Sequence, residues 1–309
     1  MMSANESVTA AATAVGVVGL GNMGGGVARN LHRAGFALHV WDIDAAARGR
    51  LAELPGVTVA EPGAMAEVCD TIIFVVPATP QIAASLDGET GVLARARPGL
   101  VVYDFTTSDP RDTRELASRA AAAGIRYMDA GMSGGATGAD AGTLTLMIGG
   151  EREAFERTRS VLEKIARRIF HLGGSGAGHT MKLVHNMVCH TIFLATCEGG
   201  RMAQAAGIDL ADMIEVFNVS NARSYASEVR FPAHILSGKW DARSRVYNLD
   251  KDLAMAVDLA RALDAPVPLG AYTSAFLHTA IEQGMAQTDY SRLYERFGEI
   301  VRGAPAGRG

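Results

Sequence analysis

The six residues Gly19-Leu20-Gly21-Asn22-Met23-Gly24 constrain this chain more than any others. Their glycines stand in GxGxxG spacing directly after the apolar run VGVVGL and at the opening of a helical pattern that continues to Ala34. In that setting each glycine has a separate task. Gly19 makes a tight turn, Gly21 lets a pyrophosphate approach the backbone, and Gly24 packs helix against strand, while the helix N-terminus stabilises the phosphate charge. A lone GxGxxG is weak, but one placed between a strand and a helix predicts a dinucleotide site built from Gly19, Leu20, Gly21, Asn22, Met23 and Gly24. Asp42 ends the next apolar run, ALHVW, at the spacing expected of a ribose ligand. A carboxylate there accepts from a ribose 2′-hydroxyl and repels a 2′-phosphate, so NAD is expected ahead of NADP. The residues also allow Asp42 to cap a helix beginning near Ala45, and they leave Arg48 close enough to accommodate a phosphate.

From Ala14 onward, short β-rich runs alternate with helical patterns. Further strands are expected over Thr71–Val76, Leu100–Asp104 and Arg126–Ala130, with a helix from Pro110 to Ala123. Such alternation predicts right-handed crossovers and a doubly wound, mostly parallel sheet. Val76 and Pro77, at the end of the buried-type run TIIFVV, are assigned to the cofactor side of that sheet. Thr143–Gly150 and Arg168–Gly173 read as the last strands, bracketing a helix over 151–167. Beyond Gly178 the pattern is helical, broken at Gly207, Gly238 and the Pro266/Pro268 pair. The 309 residues exceed what one core usually serves. The expected organisation is a leader over 1–13 without fixed structure, an α/β domain over 14–178, an all-α domain over 179–300 and a flexible tail over 301–309.

Charge narrows the partners. Lys plus Arg number 29 against 33 Asp plus Glu, a net charge of −4 without basic runs, which gives no electrostatic footprint for nucleic acid or anionic lipid. A small-molecule partner is expected instead. Cys69, Cys189 and Cys197 are odd in number and lack CxxC or metal-ligand spacing, which fits free thiols in a reducing compartment, hence the cytoplasm, and calls for no metal. Residues 1–13 have neither the basic segment nor the apolar run of a secretory signal. The longest apolar helical stretch, Met181 to Ala206, carries Lys182, His185, Asn186, Glu198 and Arg201, too many polar groups for a membrane span.

Two further segments carry chemistry. In DAGMSGGATGADAGTLTLMIGG, Ser133, Gly134 and Gly135 follow the strand ending near Ala130, where backbone N–H groups and a hydroxyl can hold a carboxylate. Glycine density alone fits a tight packing turn equally well. In GSGAGHTMKLVHN, Lys182, His185 and Asn186 stand at i, i+3 and i+4 on one helical face, joined by Cys189 at i+7. Taken singly, Lys182 also reads as a snorkelling surface lysine and His185 as a satisfied core histidine.

Together GLGNMGGGVARNLHRAG, DFTTSDP (Asp104 to Pro110), DAGMSGGATGADAGTL, GSGAGHTMKLVHN and LDKDLAMA resemble, in order, the motifs of the beta-hydroxyacid dehydrogenases, the family of 3-hydroxyisobutyrate dehydrogenase and tartronate semialdehyde reductase. The resemblance spans about residues 15–258. It implies a Rossmann domain joined by a long helix to an all-α domain, a homodimer or homotetramer, and a small hydroxy acid or semialdehyde as substrate. It also implies roles: the GLGNMG glycines bind NAD, Thr107 lies near the nicotinamide, and Ser133, Gly134 and Gly135 hold the substrate carboxylate. Lys182 becomes the general acid/base, Asn186 with His185 orients substrate, and Lys251 approaches the cofactor from the helical domain. Apart from the resemblance, Phe231, Trp240, Arg243 and Arg245 of the helical domain are candidates to close over the distal end of the substrate; Arg243 and Arg245 could meet a second anion such as a sulfonate, phosphate or carboxylate there, but read more readily as solvated surface arginines. Three positions depart from the pattern. Gly131 stands where the family usually has proline, His185 where it usually has asparagine, and DFTT where DxST is common. The first two resemble 6-phosphogluconate dehydrogenases, which protonate their enediol with a glutamate seven residues after the lysine; here that residue is Cys189. Oxidative decarboxylation is thus the alternative reaction, and a dinucleotide-binding sensor without catalysis the alternative class.

Overall fold

Apolar runs that are buried on both faces dictate a sheet with helices on either side. In the computed structural model, which describes residues 13–303, eight strands form one sheet in the order β3-β2-β1-β4-β5-β6-β7-β8. They are β1 (Ala14–Val18), β2 (Ala37–Trp41), β3 (Val57–Val59), β4 (Thr71–Phe74), β5 (Val101–Asp104), β6 (Arg126–Ser133), β7 (Leu144–Gly149) and β8 (Ala166–Gly173). β1 to β6 run parallel, and β4 and β5 are buried along their whole length. This is the doubly wound α/β arrangement expected of the sequence, with the order reversal between β1 and β4 that opens a ligand crevice at the strands' carboxyl ends. β7 departs from a purely parallel sheet: it pairs antiparallel with β6, and β8 then pairs parallel with β7.

Helices α1 (Gly24–Arg33), α2 (Ala45–Ala52), α3 (Pro62–Val68), α4 (Thr79–Leu86), α5 (Val92–Arg95), α6 (Pro110–Ala122), α7 (Gly135–Ala141) and α8 (Arg152–Leu162) lie between the strands. Val15, Val17, Leu31, Ile73, Tyr103 and Ile148 are among the side chains of one buried cluster, and Ile72, Phe74, Ile82 and Val102 among those of another. α1 meets α7 at a glycine: a Cβ on Gly26 would lie 2.7 Å from the backbone of Ala139, and Asn30 Nδ2 donates to Ala139 O at 2.7 Å.

The remainder is helical, as expected. α9 (Ala177–Ala205), α10 (Leu210–Asn218), a π-helix over Ala226–Leu236, α11 (Val246–Ala262), α12 (Pro268–Ala280) and α13 (Phe297–Gly303) make up this part with two short turns. Its core gathers Phe193, Phe231, Leu253, Leu277 and Leu293. Gly207 and Gly238 take positive φ and end the helices before them, and Pro268 opens α12. The chain divides into two compact units at Lys182/Leu183, so α9 begins in the first and continues in the second. Residues 1–12 of the expected leader and 304–309 of the expected tail lie outside the described residues, and 301–303 close α13. No helix among the described residues is long and apolar enough to cross a membrane.

Candidate active site

The glycine loop joins β1 to α1 at the sheet's switch point. Gly19 has φ +93°, and a Cβ there would lie 2.3 Å from Val75 O; one on Gly24 would lie 1.8 Å from Gly19 O. These two positions accept no side chain. A Cβ on Gly21, by contrast, would have nothing within 4 Å, which is the opening a pyrophosphate needs. α1 carries no side-chain cap, so its first amides fit an anion. Asp42 accepts from Leu20 N at 2.6 Å with one oxygen and from Asp44 N at 2.8 Å with the other. It therefore ties the end of β2 to the glycine loop, and each oxygen keeps a second acceptor site for a ribose hydroxyl. Capping of α2 falls to Asp44, which accepts from Ala46 N, so the reading of Asp42 as that cap is corrected. Arg48 folds back over the Trp41 ring at 4.6 Å and donates to Asp42 O at 2.6 Å. Val76, Pro77 and Thr107 follow the carboxyl ends of β4 and β5; Pro77 is exposed and the other two half-buried. Together these residues fit a dinucleotide.

Two buried aspartates, one ending β5 and one within β6, hold the backbone around this crevice. Asp104 ends β5, accepting from Thr106 N at 2.8 Å and from Tyr127 OH at 2.9 Å, and so shapes the turn leading to Thr107. Burial pushes its carboxyl up, against the opposing pull of His179, the Thr106 amide and the Tyr127 hydroxyl. Asp129, in β6, accepts from Gly176 N at 2.7 Å and His179 N at 2.9 Å, the first amides of α9. His179 in turn contacts Asp104 O through Nε2 at 3.1 Å and the Thr113 hydroxyl through Nδ1 at 2.7 Å. The start of α9 is thus bound to the end of β5 and to the middle of β6. Sequence reasoning singled out none of these three residues, although each aspartate opens one of the motifs, DFTT and DAGMSGG.

That anchoring places Lys182. Its Nζ donates to Met132 O at 2.6 Å, one residue before Ser133. The close approach of α9 to the sheet depends on missing side chains: a Cβ on Gly131 would lie 2.6 Å from Lys182 Cβ, and one on Gly178 would lie 2.3 Å from Met147 O. The departure from proline at Gly131 therefore coincides with tight packing against the lysine. Lys182 is half-buried and engaged, which corrects the surface-lysine reading. Ser133 ends β6, and Gly134 (φ +125°) and Gly135 (φ +60°) turn the chain into α7 with their backbones exposed.

In the second unit, His185 Nδ1 lies 2.9 Å from Asn186 Oδ1, Asn186 Nδ2 donates to Asp252 Oδ2 at 2.6 Å, and Asp252 Oδ1 pairs with Lys251 Nζ at 3.2 Å. Lys251 on α11 is thereby joined to the α9 face that carries His185 and Asn186. Asp252 is the link the sequence reading missed; its position beside Lys251 in LDKDLAMA was the available signal. Cys189 accepts from Arg230 Nη2 at 3.2 Å. Of the side chains expected over the distal end of the substrate, Phe231 is instead fully buried in the core, with ring centres 6.1 Å from Phe193 and 5.5 Å from Tyr294. Trp240 packs under Arg292, and Arg243 and Arg245 are exposed, with the Arg243 amide donating to Asp289 and the Arg245 side chain to Gln287.

Comparison with known proteins bears on this geometry. Residues 14–173 match the model of the NAD-binding domain of 6-phosphogluconate dehydrogenase, and residues 176–297 match the NAD-binding model of NADP-dependent 3-hydroxyisobutyrate dehydrogenase. The chain is 34% identical to an L-threonate dehydrogenase of Cupriavidus necator, across 92% of this chain and 95% of that protein. It is 32% identical to a 3-hydroxyisobutyrate dehydrogenase of Pseudomonas aeruginosa, across 92% and 98%. The structure of Mycobacterium tuberculosis 3-hydroxyisobutyrate dehydrogenase with L-serine superposes with a TM-score of 0.83 at 29% identity, covering 93% of this chain and 99% of that one. A glycine cradle at the switch point and five motifs in family order, matched over nearly the whole chain by these relatives, show that it belongs to the beta-hydroxyacid dehydrogenase family and is a dehydrogenase using a pyridine nucleotide.

Proposed function

We propose that this enzyme oxidises, with NAD, a hydroxyl beta to the carboxylate of a small acid, or reduces the corresponding semialdehyde, with Lys182 as the acid/base. The observation that carries the reading is the Lys182 ammonium nitrogen, 2.6 Å from Met132 O and next to the Ser133–Gly134–Gly135 turn. Ser133 and the exposed amides of the two glycines hold the substrate carboxylate. In oxidation the neutral amine of Lys182 takes the hydroxyl proton; in reduction its ammonium returns one to the developing alkoxide. When bound, the nicotinamide supplies the hydride acceptor or donor. Asn186, fixed by Asp252, and His185 orient the substrate, and Asp42 favours NAD by accepting from the ribose 2′-hydroxyl. The relatives' names direct attention to 3-hydroxyisobutyrate, L-threonate and L-serine as first substrates.

The exposed stripe Val184, Val188 and Ile192 on α9 supports a homodimer or homotetramer, since a second copy would cover it. The three free thiols Cys69, Cys189 and Cys197 support a cytoplasmic setting. Decarboxylation is the second reading, favoured by Gly131 lying against Lys182; against it, the Cys189 sulfur accepts an N–H from Arg230 where a proton donor is needed. Initial rates with 3-hydroxyisobutyrate, L-threonate, L-serine, glycerate and 6-phosphogluconate, each with NAD and NADP, test the proposal. NADH formation without carbon dioxide is expected; carbon dioxide in step with NADH would replace simple oxidation by decarboxylation.

A further inference from the structure

Arg230 holds a positive charge that the described residues do not balance. It lies half-buried in the π-helix Ala226–Leu236, its guanidinium carbon 5.0 Å from the ring centre of Tyr290, 5.6 Å from Phe193 and 5.7 Å from Tyr225. Nη2 donates to Cys189 Sγ at 3.2 Å, and Nη1 is buried without a hydrogen-bond acceptor. Asp289, next to Tyr290 in the chain, accepts from the amides of Ser291 and Arg243. Burial pushes the Tyr290 phenol up to about 12 even with Arg230 beside it, so that ring supplies no countercharge. The buried Cys197 thiol is likewise pushed well above its ordinary value and stays neutral.

A guanidinium offers five N–H donors and remains charged at physiological pH. Aromatic rings lower the cost of dehydrating it, and a thiol is a weak acceptor, but neither matches the charge or satisfies Nη1. A ligand that brings strong, negatively charged acceptors would do both. The cluster is open to one: Cys189 is half-buried and Tyr225 is 57% exposed. Cys189 also gives its location. His185 and Asn186 precede it by four and three residues on one face of α9, so Arg230 meets that face roughly 4.5–6 Å further along the helix. That is about the span of three carbon–carbon bonds and a carboxylate oxygen.

We infer that Arg230 binds a second anionic group at the end of the substrate remote from the reacting hydroxyl, its guanidinium exchanging the Cys189 sulfur for carboxylate-type oxygens. The inference rests on the α9 face of His185 and Asn186 being the substrate's, and it narrows the substrate class to dianionic beta-hydroxy acids. Arg243 and Arg245 are both exposed, and the Arg245 side chain donates to Gln287; neither is a buried cation like Arg230.

The test pairs 2-(hydroxymethyl)glutarate with 2-(hydroxymethyl)pentanoate, which keeps the chain and lacks the second carboxylate. Wild-type enzyme should favour the dianion in kcat/KM by at least about 30-fold, the scale of a hydrogen-bonded charge pair. Arg230→Met should remove that preference by raising KM for the dianion while leaving the monoacid within about threefold, and Arg230→Lys should restore part of it. Calorimetric binding of glutarate against butyrate reads the same preference without turnover. Equal use of the two hydroxy acids by wild type, or an equal loss on both in Arg230→Met, would overturn the inference. Glutarate bound tighter than butyrate by wild type but not by Arg230→Met, with neither hydroxy acid turned over, would support Arg230 and overturn the hydroxy-acid reading alone.

Discussion

Replacing Asp129 by asparagine isolates the anchor that positions the helix carrying Lys182. The substitution keeps the side chain's shape, so no cavity forms and only the hydrogen bonds change. In the native protein one carboxylate oxygen accepts from Gly176 N and the other from His179 N, and Asp129 is fully buried. Asparagine retains one acceptor and turns its NH2 toward the second amide. Leaving a buried amide unsatisfied costs about 1–3 kcal/mol. Removing a negative charge from a helix N-terminus costs a further ~0.5–2 kcal/mol in a buried setting. The total of about 1.5–5 kcal/mol corresponds to a Tm lowered by roughly 3–20 °C for a unit of this size. Lys182 follows His179 by three residues on α9, so the same release should move its amine and lower kcat by about 10–100-fold. NADH affinity, which we assign to the glycine loop and Asp42, should stay within a few-fold. Thermal unfolding, fluorescence titration with NADH and initial rates measure the three quantities. A Tm within 2 °C of wild type would refute the anchor, and an unchanged kcat in a destabilised variant would refute its link to Lys182.

Three further outcomes follow from particular groups. Wild type should show higher kcat/KM with NAD than with NADP, and Asp42→Ala should narrow the gap; because Asp42 also binds Leu20 N, the variant should weaken both nucleotides somewhat. Asp104 has its carboxyl raised in the folded protein by burial, so folding takes up a proton there. The burial cost is absent below the ordinary carboxylate range and is felt fully once pH exceeds the raised folded value. Asp104→Asn should therefore gain stability relative to wild type as pH rises above the ordinary carboxylate range in urea unfolding, and a difference independent of pH would contradict the assignment. Val188→Asp, on a residue 48% exposed, should shift the particle in light scattering toward the 32.4 kDa chain mass, whereas an unchanged particle would place the subunit contact elsewhere.

The parts of the fold legible in the sequence were those fixed by local pattern. The buried runs at Val15–Val18 and Thr71–Phe74, with GLGNMG between strand and helix, could be read because the chemistry of a phosphate turn needs only neighbouring residues. β3 escaped notice because Val-Thr-Val is three residues long and partly exposed, offering neither a buried run nor alternation. α7 was hidden by the glycine density of its own segment, since Gly135 and Gly138 argue for a turn by propensity while the packing of Gly26 on Ala139 favours a helix. The π-helix around Pro232 has no periodic signature. In the site, Lys182, His185 and Asn186 were visible from their helical spacing. Asp252 had only its place beside Lys251 as a signal, and Arg230 had none, because their partners are 66 and 41 residues away along the chain and come together only in the folded unit. Arg243 and Arg245, which the sequence offers for a second anion but which read more readily as solvated surface arginines, are exposed.

The central claim is that Lys182 moves the substrate proton. Single-turnover rates for Lys182→Ala, taken with NADH affinity and Tm on the same preparation, test it most directly. A loss in the hydride-transfer rate of at least about 10²-fold is expected, with NADH affinity within a few-fold and partial recovery on adding a small primary amine. A rate near that of wild type in folded, NADH-binding Lys182→Ala would contradict the account.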